Sequence, residues 1–210
     1  MDVAIPIYDA FTALDAVGPY EVLSRLPGAR VRFIAARPGA VTTDNGMLSL
    51  VAEASLDEVP APDVLVVPGG ISTPKVARDP VYVDWVRRAH ETSTWTTSVC
   101  TGALLLGAAG ILDGLKATTH WLDYEELATY GAQPTPQRVV EQGKVITSAG
   151  VSSGIDMALT LAARIAGNDV ARAIQLGIEY DPHPPFDAGS VATAGPEIEA
   201  MVRAAVSARA

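Results

Sequence analysis

The stretch Trp95-Thr96-Thr97-Ser98-Val99-Cys100-Thr101-Gly102-Ala103-Leu104-Leu105-Leu106-Gly107 decides the fold of this protein. Its first five residues are rich in aromatic and β-branched types, which favour a strand, and the residues after Cys100 are small or helix-forming. Cys100 therefore falls where a strand turns sharply into a helix, which is the pattern of a nucleophile elbow. We expect Gly102 to let another backbone segment approach closely, as the floor of a pocket requires.

The thiol of Cys100 is the first candidate for chemistry. At the carboxyl end of a strand it would face the unpaired amides and the positive dipole end of the following helix, which favour the thiolate. The alternative is that Cys100 is a small apolar core residue, as most buried cysteines are. The local pattern leaves both interpretations open.

Composition limits the classes of protein to which the chain can belong. With 210 residues, 49% of them hydrophobic, the chain is long enough for one α/β domain over residues 1–210 with a substantial core. The net charge of −9 argues against a nucleic-acid partner. One cysteine forms no internal disulfide, the start carries no basic signal region, and no apolar run reaches membrane-spanning length. These features predict a cytoplasmic protein with no membrane partner.

Strand-like and helix-like segments alternate along the rest of the chain. The run 64–68 is continuously apolar, which is typical of a central parallel strand covered on both faces. We predict other strands at 2–8, 31–37, 95–99 and 116–121, a strand-like excursion at 41–51, and a hairpin from 137–140 and 144–148. We predict helices at 12–26, 79–92, 122–130, 156–166, 170–179 and 197–210, and an extended surface path for the proline-rich 181–187.

Asp15 has two candidate roles. The spacing of Thr12 and Asp15 is that of a capping box, in which the aspartate accepts a hydrogen bond from a free amide at the start of a helix. Its position after the first strand also places it among the loops where α/β sheets bind ligands.

Other candidates lie in the loops that follow strands. Gly69-Gly70-Ile71 exposes backbone amides that suit an anion or a developing negative charge, although a glycine pair is more often a simple turn. His120, placed at the end of a predicted strand, is either a base for Cys100 or a histidine held by structural hydrogen bonds. We also count it, with Gly70 and Ile71, among the candidate groups that bind substrate or developing charge. Ser152 and Ser153 are helix-cap candidates. We find no cluster of metal ligands in the sequence and expect no metal.

Five motifs together resemble the ThiJ/PfpI superfamily, which has the class I glutamine amidotransferase-like fold, over nearly the whole chain. They are Leu14-Asp15-Ala16-Val17-Gly18-Pro19-Tyr20-Glu21-Val22, Val66-Val67-Pro68-Gly69-Gly70, Ser98-Val99-Cys100-Thr101-Gly102-Ala103, Ala117-Thr118-Thr119-His120-Trp121 and Thr147-Ser148-Ala149-Gly150-Val151-Ser152-Ser153-Gly154-Ile155-Asp156. The resemblance implies an α/β, doubly wound, flavodoxin-like fold, with a mostly parallel sheet, helices on both faces and a cysteine nucleophile elbow.

Within the superfamily the motifs most resemble the isonitrile hydratases, because threonine follows the cysteine and the early acid is an aspartate. That resemblance implies hydration of an isonitrile to an N-substituted formamide without a cofactor, in a homodimer. It implies Cys100 as nucleophile, Asp15 as proton donor, Thr101 as a group that orients water or the acid, and the amides of Gly70, Ile71 and Thr101 as donors to developing charge. For Thr101 a helix cap remains the alternative. The proline-rich loop around Phe186 is expected to help close a pocket near the dimer interface.

Four other classes of protein are weighed against this interpretation. PfpI-type proteases carry Cys-His at the elbow, so Cys100-Thr101 argues against peptidase activity. The sensor domains of AraC-type regulators resemble the chain but continue into a helix-turn-helix domain, which we do not expect here. A glyoxalase-like or chaperone-like enzyme for reactive carbonyls, and a redox or ligand sensor that reads the state of Cys100, remain as alternatives.

Overall fold

The computed structural model describes residues 1–207, and its core is one large sheet flanked by helices. The strands are β1 Asp2–Pro6, β2 Arg30–Ala35, β3 Gly39–Thr42, β4 Ser49–Ala52, β5 Ala54–Ser55, β6 Val64–Val67, β7 Trp95–Val99, β8 Lys116–Ala117, β9 Gln133–Pro134, β10 Val139–Gln142 and β11 Val145–Ser148. The helices are α1 Ala13–Leu23, α2 Thr73–Val76, α3 Pro80–Thr92, α4 Gly102–Ala108, α5 Tyr124–Thr129, α6 Ser153–Ala166, α7 Asn168–Gly177, α8 Val191–Ala194 and α9 Pro196–Ser207, with a 3-10 turn at Trp121–Asp123.

The large sheet has seven strands in the order β10-β11-β7-β6-β1-β2-β5. All neighbouring strands run parallel except β10 and β11, which form the predicted antiparallel hairpin. Strand β6 is entirely buried between β1 and β7, as its continuous apolar run predicts.

Helices cover the sheet on both faces. Helices α1, α6 and α7 pack together, and α2, α3 and α4 form a separate packed group. The first group contacts β6 and β7 through α1 and α6, and the second contacts the same two strands through α4. Because the two groups pack on the same strands but not principally on each other, they lie on opposite faces of the sheet. The predicted doubly wound α/β fold is confirmed.

Strand β7 is unusual because it is buried but polar. The hydroxyl of Thr96 lies 2.9 Å from that of Ser93, and the hydroxyl of Thr97 donates to the carbonyl of Leu65 at 3.0 Å. These side-chain bonds satisfy polar groups that burial would otherwise penalise, and they favour a single register for the strand that carries the elbow.

Two strand predictions need correction. The segment 116–121 is not one strand: only Lys116–Ala117 is extended, and it pairs with β9 in a separate two-stranded sheet. The strand stops because the Thr118 amide donates to the Thr147 hydroxyl at 2.9 Å instead of to a neighbouring strand. The excursion at 41–51 is the antiparallel hairpin of β3 and β4.

The described residues divide into two compact units, Met1–Ile178 and a second unit that begins at Glu179. In the second unit the proline-rich segment 181–187 is exposed, and the side chain of Phe186 is 78% exposed. A single domain over residues 1–210 stays a prediction. Residues 208–210 of the predicted tail helix lie outside the described residues. Within 1–207, no helix combines the length and apolar character needed to cross a membrane.

The first prediction concerns the close approach at Gly102. A Cβ there would overlap the carbonyl oxygen of Val67 and lie 3.0 Å from the carbonyl carbon of Pro68. We expect Gly102→Ala to lower the free energy of unfolding by about 2 to 3 kcal/mol, measured by denaturant titration. Gly177→Ala is the control, because a Cβ there meets nothing within 4 Å and alanine suits a helix. Parent-like stability of Gly102→Ala would contradict the close approach.

Candidate active site

The turn between β7 and α4 has the geometry of a nucleophile elbow. Cys100 has a φ of 57°, a left-handed conformation that is costly for a residue with a side chain. Its amide lies 3.1 Å from the carbonyl oxygens of both Ser148 and Ala149, and its own carbonyl accepts from the Thr119 hydroxyl at 2.9 Å. These bonds from two other segments hold the strained residue in place. The side chain of Cys100 is buried, with 5% of its surface exposed.

The carboxyl group of Asp15 lies beside this thiol. Asp15 is in the first turn of α1 and is completely buried. Its Oδ2 accepts from the Gly69 amide at 2.9 Å, and its side chain is also hydrogen-bonded to Cys100. The first strand's loop and the cysteine elbow therefore meet at the carboxyl edge of the sheet.

The capping-box interpretation of Asp15 is wrong. The amide of Thr12, which Asp15 would have accepted from, donates instead to the Gly69 carbonyl at 2.8 Å. The Thr12 hydroxyl donates to Asp44 Oδ2 at 2.8 Å and makes no cap bond. The Gly69 carbonyl takes the place of the Asp15 carboxylate as the acceptor for the Thr12 amide. The Asp15 carboxyl is therefore available to interact with Cys100.

Burial controls the ionisation of both groups. It raises the pKa of Asp15 to about 7, although the bonds from Gly69 and Cys100 oppose the rise. Burial also raises the pKa of the Cys100 thiol well above its usual range, and the neighbouring Asp15 charge raises it further. This corrects our expectation that the elbow favours the thiolate: loss of water and a nearby carboxylate outweigh the amides at the start of α4.

Two backbone amides oppose that rise in the pKa of the thiol. The amides of Val151 and Thr101 both donate to the Cys100 sulfur and lower its pKa. Val151 holds this position with a φ of 29°, which is rare for a β-branched residue. Our sequence reasoning missed Val151, because nothing in its residue type signals a positive φ.

A buried chain of hydroxyl groups fixes Thr101. Its Oγ1 accepts from the Gly70 amide at 2.9 Å and lies 2.8 Å from Thr73 Oγ1. Thr73 Oγ1 in turn lies 2.9 Å from the hydroxyl of Tyr8, which donates to the Pro68 carbonyl at 2.7 Å. Thr101 therefore anchors the glycine loop and makes no side-chain cap for α4, contrary to the helix-cap alternative. Sequence reasoning also missed Tyr8 and Thr73.

The glycine loop offers fewer free amides than we expected. The Gly70 amide is directed at Thr101, so its expected role as a donor to substrate is revised. The Ile71 amide has no hydrogen-bond partner within the described chain, and the Ile71 side chain is 48% exposed. Of the two, Ile71 is the amide left for a ligand.

His120 has a structural environment. Its Nδ1 lies 3.4 Å from the Leu122 amide and 3.6 Å from Asp123 Oδ2, and no hydrogen bond in residues 1–207 joins its ring to Cys100. A Cβ added to Gly150 would lie 2.6 Å from His120 Cδ2, so the ring packs directly on that glycine. His120 is not at a strand end, and its ring packs on Gly150 in the turn that carries Val151.

The site combines a buried thiol, a carboxyl group whose pKa burial raises to about 7 and two amides directed at sulfur. A carboxyl of that pKa can give up and take back a proton at little cost, which suits general acid and base catalysis. No group of three or more acidic, histidine or cysteine side chains in the described chain could hold a metal ion.

The second prediction follows from the raised pKa of Asp15. The folded protein binds the Asp15 proton more tightly than the unfolded chain, so the free energy of unfolding should fall as pH rises from about 4 to about 7 and level off above. Asp15→Asn should lack this component, worth roughly 3 to 4 kcal/mol. The measurement is denaturant unfolding of parent and variant across this range. Asp169→Asn, whose side chain is 100% exposed, should keep the parent profile. Parallel profiles for Asp15→Asn and the parent would contradict the raised pKa.

The chain is similar in sequence to known proteins of one family. The sequence model of the DJ-1/PfpI family matches residues 1–164. The chain is 41% identical to the isonitrile hydratase of Pseudomonas putida, over 99% of this chain and 91% of that protein. It is 31% identical to the HTH-type transcriptional regulator CdhR of Pseudomonas aeruginosa, but over only 50% of that protein.

A solved structure shares the fold over almost the whole length. The crystal structure of a ThiJ/PfpI family protein from Pseudomonas syringae superposes with a TM-score of 0.94 at 38% identity, covering 98% of this chain and 86% of the other. The resemblance predicted from the five motifs is confirmed, and the chain belongs to the DJ-1/PfpI family.

Proposed function

We propose that this protein is an isonitrile hydratase, which adds water to R–N≡C and releases the formamide R–NH–CHO. The observation that carries the proposal is the buried Asp15 carboxyl hydrogen-bonded to the Cys100 thiol at the elbow. The relative from Pseudomonas putida, which bears that name, supports the choice of reaction within the family.

In the first step the sulfur of Cys100 attacks the terminal carbon of the isonitrile. A sulfur lone pair forms the C–S bond, the carbon lone pair takes a proton to form C–H, and one π pair moves to nitrogen. The product is the thioimidate R–N=CH–S–Cys. Asp15 takes the thiol proton as sulfur attacks and delivers it to carbon, which a pKa of about 7 permits in either direction.

In the second step water adds to the thioimidate carbon. Its oxygen forms the C–O bond while the C=N π pair moves to nitrogen, which takes one of the water protons. The hydroxyl oxygen of the tetrahedral adduct then forms C=O and gives up its proton as the C–S bond breaks. The formamide leaves and the sulfur recovers a proton through Asp15. The amides of Val151 and Thr101 stabilise negative charge on the departing sulfur, since both already donate to it.

Thr101 and Ile71 have supporting roles in this scheme. The hydroxyl of Thr101 holds the Gly70 backbone and thereby the loop that supplies the Gly69 amide to Asp15. The Ile71 amide is the donor we assign to the nitrogen or oxygen of the substrate, because no group in the described chain occupies it. A direct role of Thr101 in orienting water stays a prediction, as does substrate binding by His120.

The third prediction tests the nucleophile. Cys100→Ala should fold normally and produce no N-substituted formamide from a simple alkyl or aryl isonitrile, because the attacking sulfur is gone. Cys100→Ser should also be inactive, because a hydroxyl of much higher pKa has no strong base beside it. Chromatographic detection of the formamide is the measurement. Turnover by Cys100→Ala would remove the cysteine mechanism, and lactate from methylglyoxal by the parent would favour the carbonyl enzyme instead.

The fourth prediction tests the proton carrier. Asp15→Asn keeps the shape of the side chain but has no acidic proton, so turnover of the isonitrile should fall by roughly a hundredfold or more. Asp169→Asn is the control, because that carboxyl is 100% exposed and faces Arg172 rather than the site. Parent-like turnover by Asp15→Asn would leave the proton donor unassigned.

The assembly and the compartment stay predictions. We propose a homodimer in the cytoplasm, with the loop around Phe186 near its interface. The exposure of the Phe186 side chain is compatible with such a role.

A further inference from the structure

The turn from Ala149 to Ser153 places one amide against the reactive sulfur. Val151 donates its amide to Cys100 from a backbone conformation with a φ of 29°. Such a conformation persists only where the surroundings hold it. The contacts that restrain this turn therefore influence the sulfur itself.

Arg138 forms hydrogen bonds with this turn on both sides of Val151. Its carbonyl accepts from the Ala149 amide at 2.9 Å, before Val151 in the chain. Its Nη2 donates to the Ser152 hydroxyl at 3.2 Å, directly after Val151. Its Nε and Nη2 also lie 2.8 and 2.6 Å from Asp156 Oδ2, in the first turn of α6.

These contacts replace the helix cap that the sequence predicted. Ser152 stands at the cap position of α6 but makes no side-chain cap bond, because its hydroxyl faces the guanidinium. The Ser153 hydroxyl donates back to the Ala149 carbonyl and closes the turn. The side chains at this helix start are thus used to hold the turn rather than to cap the helix.

A second arginine that also forms an ion pair between the hairpin region and α6 offers a comparison. Arg164 in α6 donates from Nε and Nη2 to the two carboxylate oxygens of Glu141 in β10, at 3.0 Å each. This pair also joins the hairpin to α6, and the side chain of Arg164 is 55% exposed against 49% for Arg138. Arg164 makes no hydrogen bond to residues 149–153 among those the structure describes.

We propose that Arg138 is a positioning residue for Cys100, holding Ser152 and Asp156 so that the Val151 amide stays against the sulfur. The proposal rests on the proposed function only for its effect on turnover, because the amide contact exists whatever the substrate. The planar guanidinium presents its donors in fixed directions and so holds the hydroxyl and the carboxylate at defined positions, whereas the lysine ammonium is a point charge on a flexible stem.

The charges of Arg138 and Asp156 could also act on the thiol directly, but this explanation predicts different shifts in the pKa of Cys100. Asp15, Asp123 and Tyr8 face or influence the thiol from other elements, and these groups are unchanged in the test. If only charge mattered, loss of Arg138 would raise the thiol pKa and loss of Asp156 would lower it. If positioning matters, loss of either partner raises it, because each loss releases the Val151 amide.

The fifth prediction is the thiol pKa in matched variants. We expect Arg138→Met and Asp156→Ala each to raise the pKa of Cys100 by about one pH unit, the effect of weakening one hydrogen bond to a thiolate. Arg138→Lys should not restore the parent value, and Arg164→Met should leave it unchanged. The thiolate is followed by its ultraviolet absorbance against pH, with Cys100→Ala as the background, since the chain has one cysteine.

The outcomes decide between the two explanations. Opposite shifts in Arg138→Met and Asp156→Ala, full rescue by Arg138→Lys, or no shift at all would overturn the proposal. If Arg138→Met does not fold, Arg138→Lys and Asp156→Ala still make the test. Because this titration needs no substrate, failure of the hydratase assay does not affect it. Where the hydratase function holds, kcat should fall with the pKa shift while KM stays near the parent value.

Discussion

A carboxyl group and a thiol that are buried side by side disfavour each other's ionisation, because each charge opposes the other and burial penalises both charged forms. Asp15 and Cys100 are in this situation, and one proton between them is the state that burial favours. The rest of the site limits where that proton can be. The Gly69 amide favours the carboxylate, whereas the amides of Val151 and Thr101 favour the thiolate. The relative strength of these three hydrogen bonds therefore influences whether the proton lies on Asp15 or on Cys100.

Backbone segments must come unusually close for these donors to reach the pair. A Cβ on Gly69 would lie 2.6 Å from the Thr101 amide, and one on Gly70 would lie 2.6 Å from Phe11 Cα. Loops from three strands therefore contact one another through their main chains at the carboxyl edge of the sheet. Such packing leaves little freedom for the loops, so the site is largely formed before any ligand arrives.

The fold and the elbow were predictable because their signals are local. The change from strand-forming to helix-forming residues around Cys100 lies within one short stretch, and the apolar run of β6 identifies a central strand without help from the rest of the chain. Asp15 shows the limit of such signals. Its capping-box spacing is valid locally, but a loop more than fifty residues away takes the Thr12 amide, as the 2.8 Å bond to Gly69 shows. Its position after the first strand and the family resemblance were the two signals that pointed past the cap.

Residues that act through a distant backbone carry no such signal. Valine is a common residue in strands and arginine a common residue on surfaces, so neither Val151 nor Arg138 attracts attention in the sequence. Their roles arise from the turn that brings the Val151 amide to the Cys100 sulfur. The same limit explains the error at residues 116–121. That segment has strand-forming residues, but a side chain of β11 takes the amide of Thr118 and ends the strand. In each case a long-range hydrogen bond overrides a valid local preference.

The order of the site along the chain has a consequence during synthesis. Cys100 is made early, whereas Ser148, Ala149 and Val151, which bind its backbone and its sulfur, are made later. At the usual rates of translation, these residues follow the cysteine by roughly 3 to 10 s. Until then the elbow lacks the bonds that hold its strained φ and the segment that helps bury the thiol. The nascent chain therefore displays a more exposed and more ordinary cysteine than the finished protein, and completing the turn after β11 is the event that protects it.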